Sequence, residues 1–271
     1  MAWGIQRQRL LAAPPLLPPG MRRPAALLVA GCVVVTVCLA LAFGHQGRPD
    51  RLDAAVDAWL QGALGSYQGP LQLLRRLGGL RSVTELTAAL VLACLVTRRW
   101  RGAALAALAV PTAVALTEFA LKPFVGRTIR GYASFPSGHA TAMFALAATC
   151  AVLLANPPRP RLPRAVRLLL AAGATLVAVA VPVAMVALDD HYFTDIVAGT
   201  AVGIGTVLLI ALLIDLARPA ARAPQVTPAE DTAALSAGRL PVTWGGRKRI
   251  SRLARTVNRS PAIEKRWTTM R

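Results

Sequence analysis

Acidic side chains are scarce in this sequence: 12 Asp and Glu stand against 31 Lys and Arg, leaving a formal net charge of +19. Such an excess invites a nucleic-acid reading, but the placement of the arginines excludes it. They fall between apolar runs and in the two tails rather than along one soluble face, as cationic membrane flanks drawn to anionic lipid do. Cysteine is scarce too. The four present, Cys32, Cys38, Cys94 and Cys150, all lie inside apolar runs without a clustered Cys/His spacing. Neither a disulfide framework nor a zinc site is expected from them. Histidine occurs three times, and no fixed-period repeat is present.

Apolar sequence is abundant, 55% of the chain, and it gathers into six runs at 25–43, 83–97, 102–121, 140–155, 165–188 and 196–214. A run near 20 residues spans a hydrocarbon core of roughly 30 Å at about 1.5 Å per residue. The second and fourth are short and are expected to borrow flanking residues. The expected fold is all-α: a polytopic membrane protein whose six-transmembrane-helix bundle occupies 25–217. A Pro- and Arg-rich cytoplasmic tail at 1–24 and a basic cytoplasmic tail at 218–271 are expected to be disordered. The first run is read as a retained anchor rather than a cleaved signal, because it is long and its leader is longer still.

An even number of spans puts both tails on one side, together with the loops holding Arg98 and Arg159. All are basic, so that side is cytoplasmic. The opposite side carries a long connector after the first span. In it Leu52, Val56, Trp59 and Leu60 form one helical stripe with Asp53 and Asp57 off it, a pattern suited to a helix in the membrane interface. That connector also holds Arg48, Arg51, Arg75, Arg76 and Arg81, offset in part by Asp50, Asp53 and Asp57. Lys122, Arg127 and Arg130 lie on this side as well, where the charge rule does not put them. An anion bound there explains them.

Two of the three histidines stand at the mouths of spans. His139 closes Pro136-Ser137-Gly138-His139, and His191 opens His191-Tyr192-Phe193-Thr194-Asp195. Helix N-termini favour phosphate because unpaired amides and the helix dipole both point at it. Residues four apart share a helical face, so Asp195 is placed to orient His191. Cleaving a phosphate ester needs cations and amides for the equatorial oxygens, a nucleophile in line, and an acid for the leaving oxygen. Lys122 with Arg127 or Arg130, joined by Ser137 and the amides of Gly138 and His139, suits the first task. His191 suits the second and His139 the third. A metal site built from the same histidines and nearby aspartates is the competing chemistry, but the helical His-Glu-x-x-His spacing is missing.

These segments resemble the type 2 phosphatidic acid phosphatase superfamily, membrane lipid-phosphate phosphatases related in their core to vanadium haloperoxidases. Its signatures are Lys-x6-Arg-Pro, Pro-Ser-Gly-His and Ser-Arg-x5-His-x3-Asp, placed after span three, at the start of span four and between spans five and six. The chain matches that order from about residue 25 to 215. The resemblance implies a phosphohistidine at His191, with Asp195 holding its ring and His139 protonating the leaving group. It implies Lys122 and Ser137 on the phosphate oxygens, and no metal or other cofactor. Two positions depart from the pattern. The first-signature arginine falls on Ile129 and its proline on Arg130, so Arg127 or Arg130 is left to substitute. The third-signature Ser-Arg falls on Ala184-Met185, and methionine cannot replace a guanidinium fork.

The expected function is hydrolysis of a lipid phosphate or polyprenyl diphosphate at the extracytoplasmic face of a bacterial plasma membrane. The partner is then a membrane lipid, with no nucleic acid and with oligomeric state left open. The alternative is a non-catalytic protein that binds or transports lipid phosphates in a degenerate pocket.

Overall fold

The computed structural model of the chain describes residues 15–156 and 162–217. Its helices are α1 (Arg22–Phe43), α2 (Arg51–Leu64), α3 (Gln68–Leu77), α4 (Leu80–Val96), α5 (Trp100–Val125), α6 (Gly138–Ala155), α7 (Arg164–Ala187) and α8 (Phe193–Leu216). Between α5 and α6 lies a hairpin of β1 (Thr128–Ile129) and β2 (Tyr132–Ala133). Helices α1, α5, α6, α7 and α8 are each long and apolar enough to cross a membrane. Helices α3 and α4 meet at 53° and make a sixth candidate when taken together. The chain is an all-α, multi-pass membrane protein.

Small residues explain how the helices approach. Ala109 and Ala113 of α5, Ala145 of α6, Ala178 of α7 and Ala211 of α8 are fully buried, while Leu27 and Leu41 of α1 and Leu169 of α7 point outward. Bulk faces out and small side chains face in, because lipid gives helices no hydrophobic reason to associate and close packing must do so instead. Helix α8 sits at the centre, against α6, α1 and α5. Its glycines set the distance to α6. A Cβ on Gly199 would lie 2.5 Å from the Ser137 carbonyl oxygen, and one on Gly203 2.5 Å from that of Thr141. Any larger residue would push the start of α8 away from the start of α6, where the two histidines stand.

The opposite end of the bundle is closed by arginine. Arg99 donates to the carbonyls of Leu153 (2.9 Å) and Asn156 (2.6 Å), and Arg167 to that of Leu154 (3.0 Å), satisfying the open C-terminus of α6. Asp215 of α8 pairs with Arg101 at 3.0 Å and accepts the backbone N–H groups of Leu16 and Leu17, each at 2.9 Å. The leader was expected to be disordered up to residue 24. Its described part instead has Leu16 and Leu17 buried, because Asp215 offers their amides a buried acceptor. The remainder of that tail, 1–14, and the expected tail at 218–271 lie outside the described residues.

Candidate active site

Ser137 caps α6, its hydroxyl accepting from the Ala140 N–H at 3.4 Å. Its own N–H donates to the Asp195 carbonyl at 3.0 Å, so the two histidine segments are joined directly through backbone. The rings of His139 and His191 face each other with centroids 6.3 Å apart and planes inclined at 61°. His191 is buried, and its Nδ1 lies 3.7 Å from Asp195 Oδ2, beyond hydrogen-bond reach. No other hydrogen-bond partner meets that nitrogen among the described residues. Asp195 is held in place by others: Oδ2 accepts from the Tyr192 N–H at 3.2 Å and Oδ1 from Arg127 at 2.7 Å.

Both imidazoles open onto a cavity of about 830 Å³ that Gly138, Lys122, Arg130 and Arg75 also line. The π-helical stretch Leu116–Leu121 interrupts α5 near its end and carries Glu118, whose Oε2 accepts from Lys122 Nζ at 2.9 Å. Gly138 lets this carboxylate come close: a Cβ on it would lie 2.3 Å from Glu118 Oε1 and would make that side chain shift. Arg130 stands at the tip of the β1–β2 hairpin. Arg130 and Gly131 both have positive φ (48° and 83°), the turn geometry that matches the twist of a two-residue hairpin. Arg130 pairs with Asp189, itself at a φ of 59°. Two non-glycine residues held in left-handed backbone and facing each other across a cavity rim store strain, which gathers at functional sites. The lining also includes apolar side chains, Leu80 and Val83 from α4 and Val114 and Phe119 from α5.

Arg127 does not belong to this cavity, contrary to the sequence expectation. It is fully buried, with Nη1 donating to Thr194 Oγ1 and Asp195 Oδ1 (2.7 Å each) and Nη2 to Asp53 Oδ2 (2.5 Å). Its guanidinium carbon lies 4.6 Å from the Phe43 ring centre and 4.4 Å from that of Tyr192. Two carboxylates and two aromatic faces leave no room for a phosphate. Helix α2 splits its apolar stripe, with Leu60 buried beside the two aspartates. Asp53 and Asp57 are buried, whereas Leu52 and Trp59 are exposed. The aspartates point inward because the start of α8 needs acceptors: Asp53 takes the Thr194 N–H at 2.8 Å and Asp57 the Phe193 N–H at 3.1 Å. Burial raises the Asp57 carboxyl to about 7, reinforced by the charge of Asp53 and opposed by the Phe193 N–H.

Of the expected site residues, His139, His191, Lys122, Arg130 and Gly138 line one cavity. Asp195 lies beneath His191, and Ser137, fully buried, serves as helix cap rather than cavity wall. Met185, at the place of the missing arginine, lines the cavity. Sequence reasoning missed the Asp53–Arg127–Asp195 cluster. Its signal was present: two aspartates four apart in a helix assigned to a membrane boundary need a buried cation or amide. Among the described residues, no group of three or more His, Cys, Asp and Glu side chains is arranged to hold a metal ion.

Comparison with known proteins bears on the fold and the family. A crystal structure described as the first transmembrane PAP2-type phosphatidylglycerolphosphate phosphatase, from Bacillus subtilis, superposes with a TM-score of 0.54 at 20% identity. The match covers 67% of this chain and 93% of that one, a likeness of fold. A search of curated proteins gave no match. The model of the PAP2 superfamily matches residues 23–219, which takes in the helices described above but for Arg22 and includes both histidine segments, and the chain belongs to that superfamily.

Proposed function

We propose that this protein hydrolyses lipid phosphates or polyprenyl diphosphates through a phosphohistidine at His191. The observation that carries the reading is the pair of imidazoles 6.3 Å apart across a cavity that also holds Lys122. With Nδ1 turned toward Asp195, the other nitrogen of His191, Nε2, is the nucleophile. It attacks phosphorus in line; the P–O bond to the leaving group breaks as the P–N bond forms, and His139 donates its proton to the departing oxygen. A water then attacks the phosphohistidine, gives its proton to His139 and releases inorganic phosphate. Lys122, Arg130 and the amides opening α6 hold the equatorial oxygens, whose charge grows in the transition state. Asp195 tightens onto His191 as the ring becomes cationic; an unliganded contact of this kind is commonly long.

The substrate class follows from the mixed lining of the cavity. Its charged residues fit a head group, and its apolar residues, Leu80, Val83, Val114 and Phe119, fit an acyl or prenyl chain. By the distribution of basic loops, the cavity opens to the extracytoplasmic side and both tails are cytoplasmic. The test is phosphate release from phosphatidate, phosphatidylglycerophosphate and undecaprenyl diphosphate by purified wild-type and His191→Ala protein in chelator. We expect turnover of at least one substrate by the wild type and a loss of about 10³-fold or more in the variant. Equal rates from the two proteins end the phosphohistidine mechanism.

A further inference from the structure

The third signature of the superfamily lacks its arginine here, and the wall where it belongs carries Met185. Helix α3 packs against α7 at that place: Leu71 of α3 is buried with Ala184 and Ala187, which flank Met185. One turn further on α3 stands Arg75, whose side chain lines the same cavity as Met185, His139 and His191. The end of α3 is pressed against the site. A Cβ on Gly78, three residues after Arg75, would lie 2.8 Å from His139 Cδ2 and 2.4 Å from Val181 Cγ1.

Resting on the phosphatase reading, we infer that Arg75 is a phosphate-binding residue and supplies from α3 the guanidinium that Met185 cannot. Its present engagement is loose. Nε lies 3.4 Å from Asp190 Oδ2, the side chain is 48% exposed, and among the described residues its terminal amino groups have no hydrogen-bond partner. Arg127 offers a contrast, with both terminal nitrogens taken. A free fork is the geometry that matches two oxygens of one phosphoryl group. Lys122 and Arg130 approach from α5 and the hairpin, and Arg75 comes from α3, so the anion is met by cations from separate elements. A carboxylate accompanies each of them: Glu118 for Lys122, Asp189 for Arg130 and Asp190 for Arg75. These partners hold the cations in place until phosphate displaces them.

The experiment compares wild type, Arg75→Gln, Arg75→Lys and Asp190→Asn in two readouts. One is kcat/KM on the best lipid phosphate. The other is binding of inorganic phosphate followed by ³¹P NMR line broadening. Thermal unfolding of each variant is the control. We expect Arg75→Gln to lose about 10- to 100-fold in kcat/KM, to weaken phosphate binding, and to unfold at the wild-type temperature. Arg75→Lys should recover part of the loss. Asp190→Asn, which frees the guanidinium, should bind phosphate at least as well as wild type. Unchanged phosphate binding and turnover in Arg75→Gln overturn the inference, and so does an equal fall of turnover and stability in Arg75→Gln and Asp190→Asn. Phosphate binding that depends on Arg75 without turnover on any substrate keeps the inference and sinks the hydrolase reading. Turnover indifferent to Arg75 does the reverse, and a wild type that neither binds nor hydrolyses overturns both.

Discussion

Arg127 and the cavity cations, Lys122, Arg130 and Arg75, lie in neighbouring elements and carry the same charge, yet their surroundings are opposite. Arg127 is sealed, with no exposure, between Asp53 and Asp195 and between two aromatic rings. Each cavity cation has one carboxylate partner and remains within reach of solvent, with the Arg130–Asp189 pair 58% and 46% exposed. Sealing fixes a position, whereas loose pairing leaves a charge available. The sealed cluster holds α2, the loop before β1 and the start of α8 as one body, and that body sets the place of His191. The loose cations then have a fixed nucleophile to work around.

The sharpest way to break this division is Arg127→Met. It strips two buried carboxylates of their counter-charge, and removing one partner of a buried pair costs about 3–5 kcal/mol. We expect a lower unfolding temperature in detergent and a smaller folded yield, with activity falling in step. A stable, folded Arg127→Met protein that had lost only phosphate binding would return Arg127 to the site. Lys122→Ala is the complementary case. Its kcat should fall by about 10²- to 10³-fold, as for loss of one charge-stabilising donor. Its unfolding temperature should stay near that of wild type, since a single i,i+4 pair at a partly exposed cavity edge adds little. A Lys122 variant that unfolds early would assign the lysine to the scaffold.

How far the sequence reveals this depends on which physical signal marks each residue. The apolar runs mark the spans, because a bilayer imposes its length on every helix that crosses it, and α1, α4 and α5–α8 follow them. His139 and His191 are marked by their places at helix starts, and the structure brings them to one cavity. Arg127 and Arg130 are three residues apart and look alike in sequence. What separates them is Gly126 at a φ of 63°, which ends α5 and turns Arg127 inward, and the hairpin turn that lifts Arg130 to the rim. Neither direction is carried by composition. The stripe in α2 was legible as amphipathic, but not its inward face, which is set by the amides of Thr194 and Phe193 far along the chain. Arg75 was hidden among the connector's arginines, since only the packing of α3 on α7 brings it to the cavity that Met185 lines.

A subtler probe asks whether the α2–α8 junction beside the sealed cluster responds to pH. The Asp57 carboxyl is raised to about 7, chiefly by burial. A carboxyl with a raised folded pKa favours the folded state when protonated. Its contribution is therefore present below the ordinary carboxyl range and is lost as pH rises from there through about 7. We expect the unfolding temperature of wild type to decline between pH 5 and pH 8, and Asp57→Asn to flatten that slope. Identical slopes in the two proteins would show that Asp57 keeps an ordinary pKa and that the α2–α8 junction is wetter than its geometry indicates.

The smallest effect belongs to Arg130→Gln. Its pair with Asp189 is half exposed, so losing it costs less than about 1 kcal/mol of stability. The left-handed backbone at residue 130 remains as strained for Gln as for Arg. Activity should fall about tenfold, as for one charge-assisted hydrogen bond, with the loss in KM rather than kcat if Arg130 holds the head group in ground and transition states alike. Arg130→Gly separates the two roles: it relieves the positive φ, and a rise in unfolding temperature alongside the same loss in KM would mean that this hairpin tip trades stability for a charge at the cavity rim. Should the glycine variant keep wild-type KM, Arg130 would leave the set of phosphate ligands, and Lys122 with Arg75 would carry the anion between them.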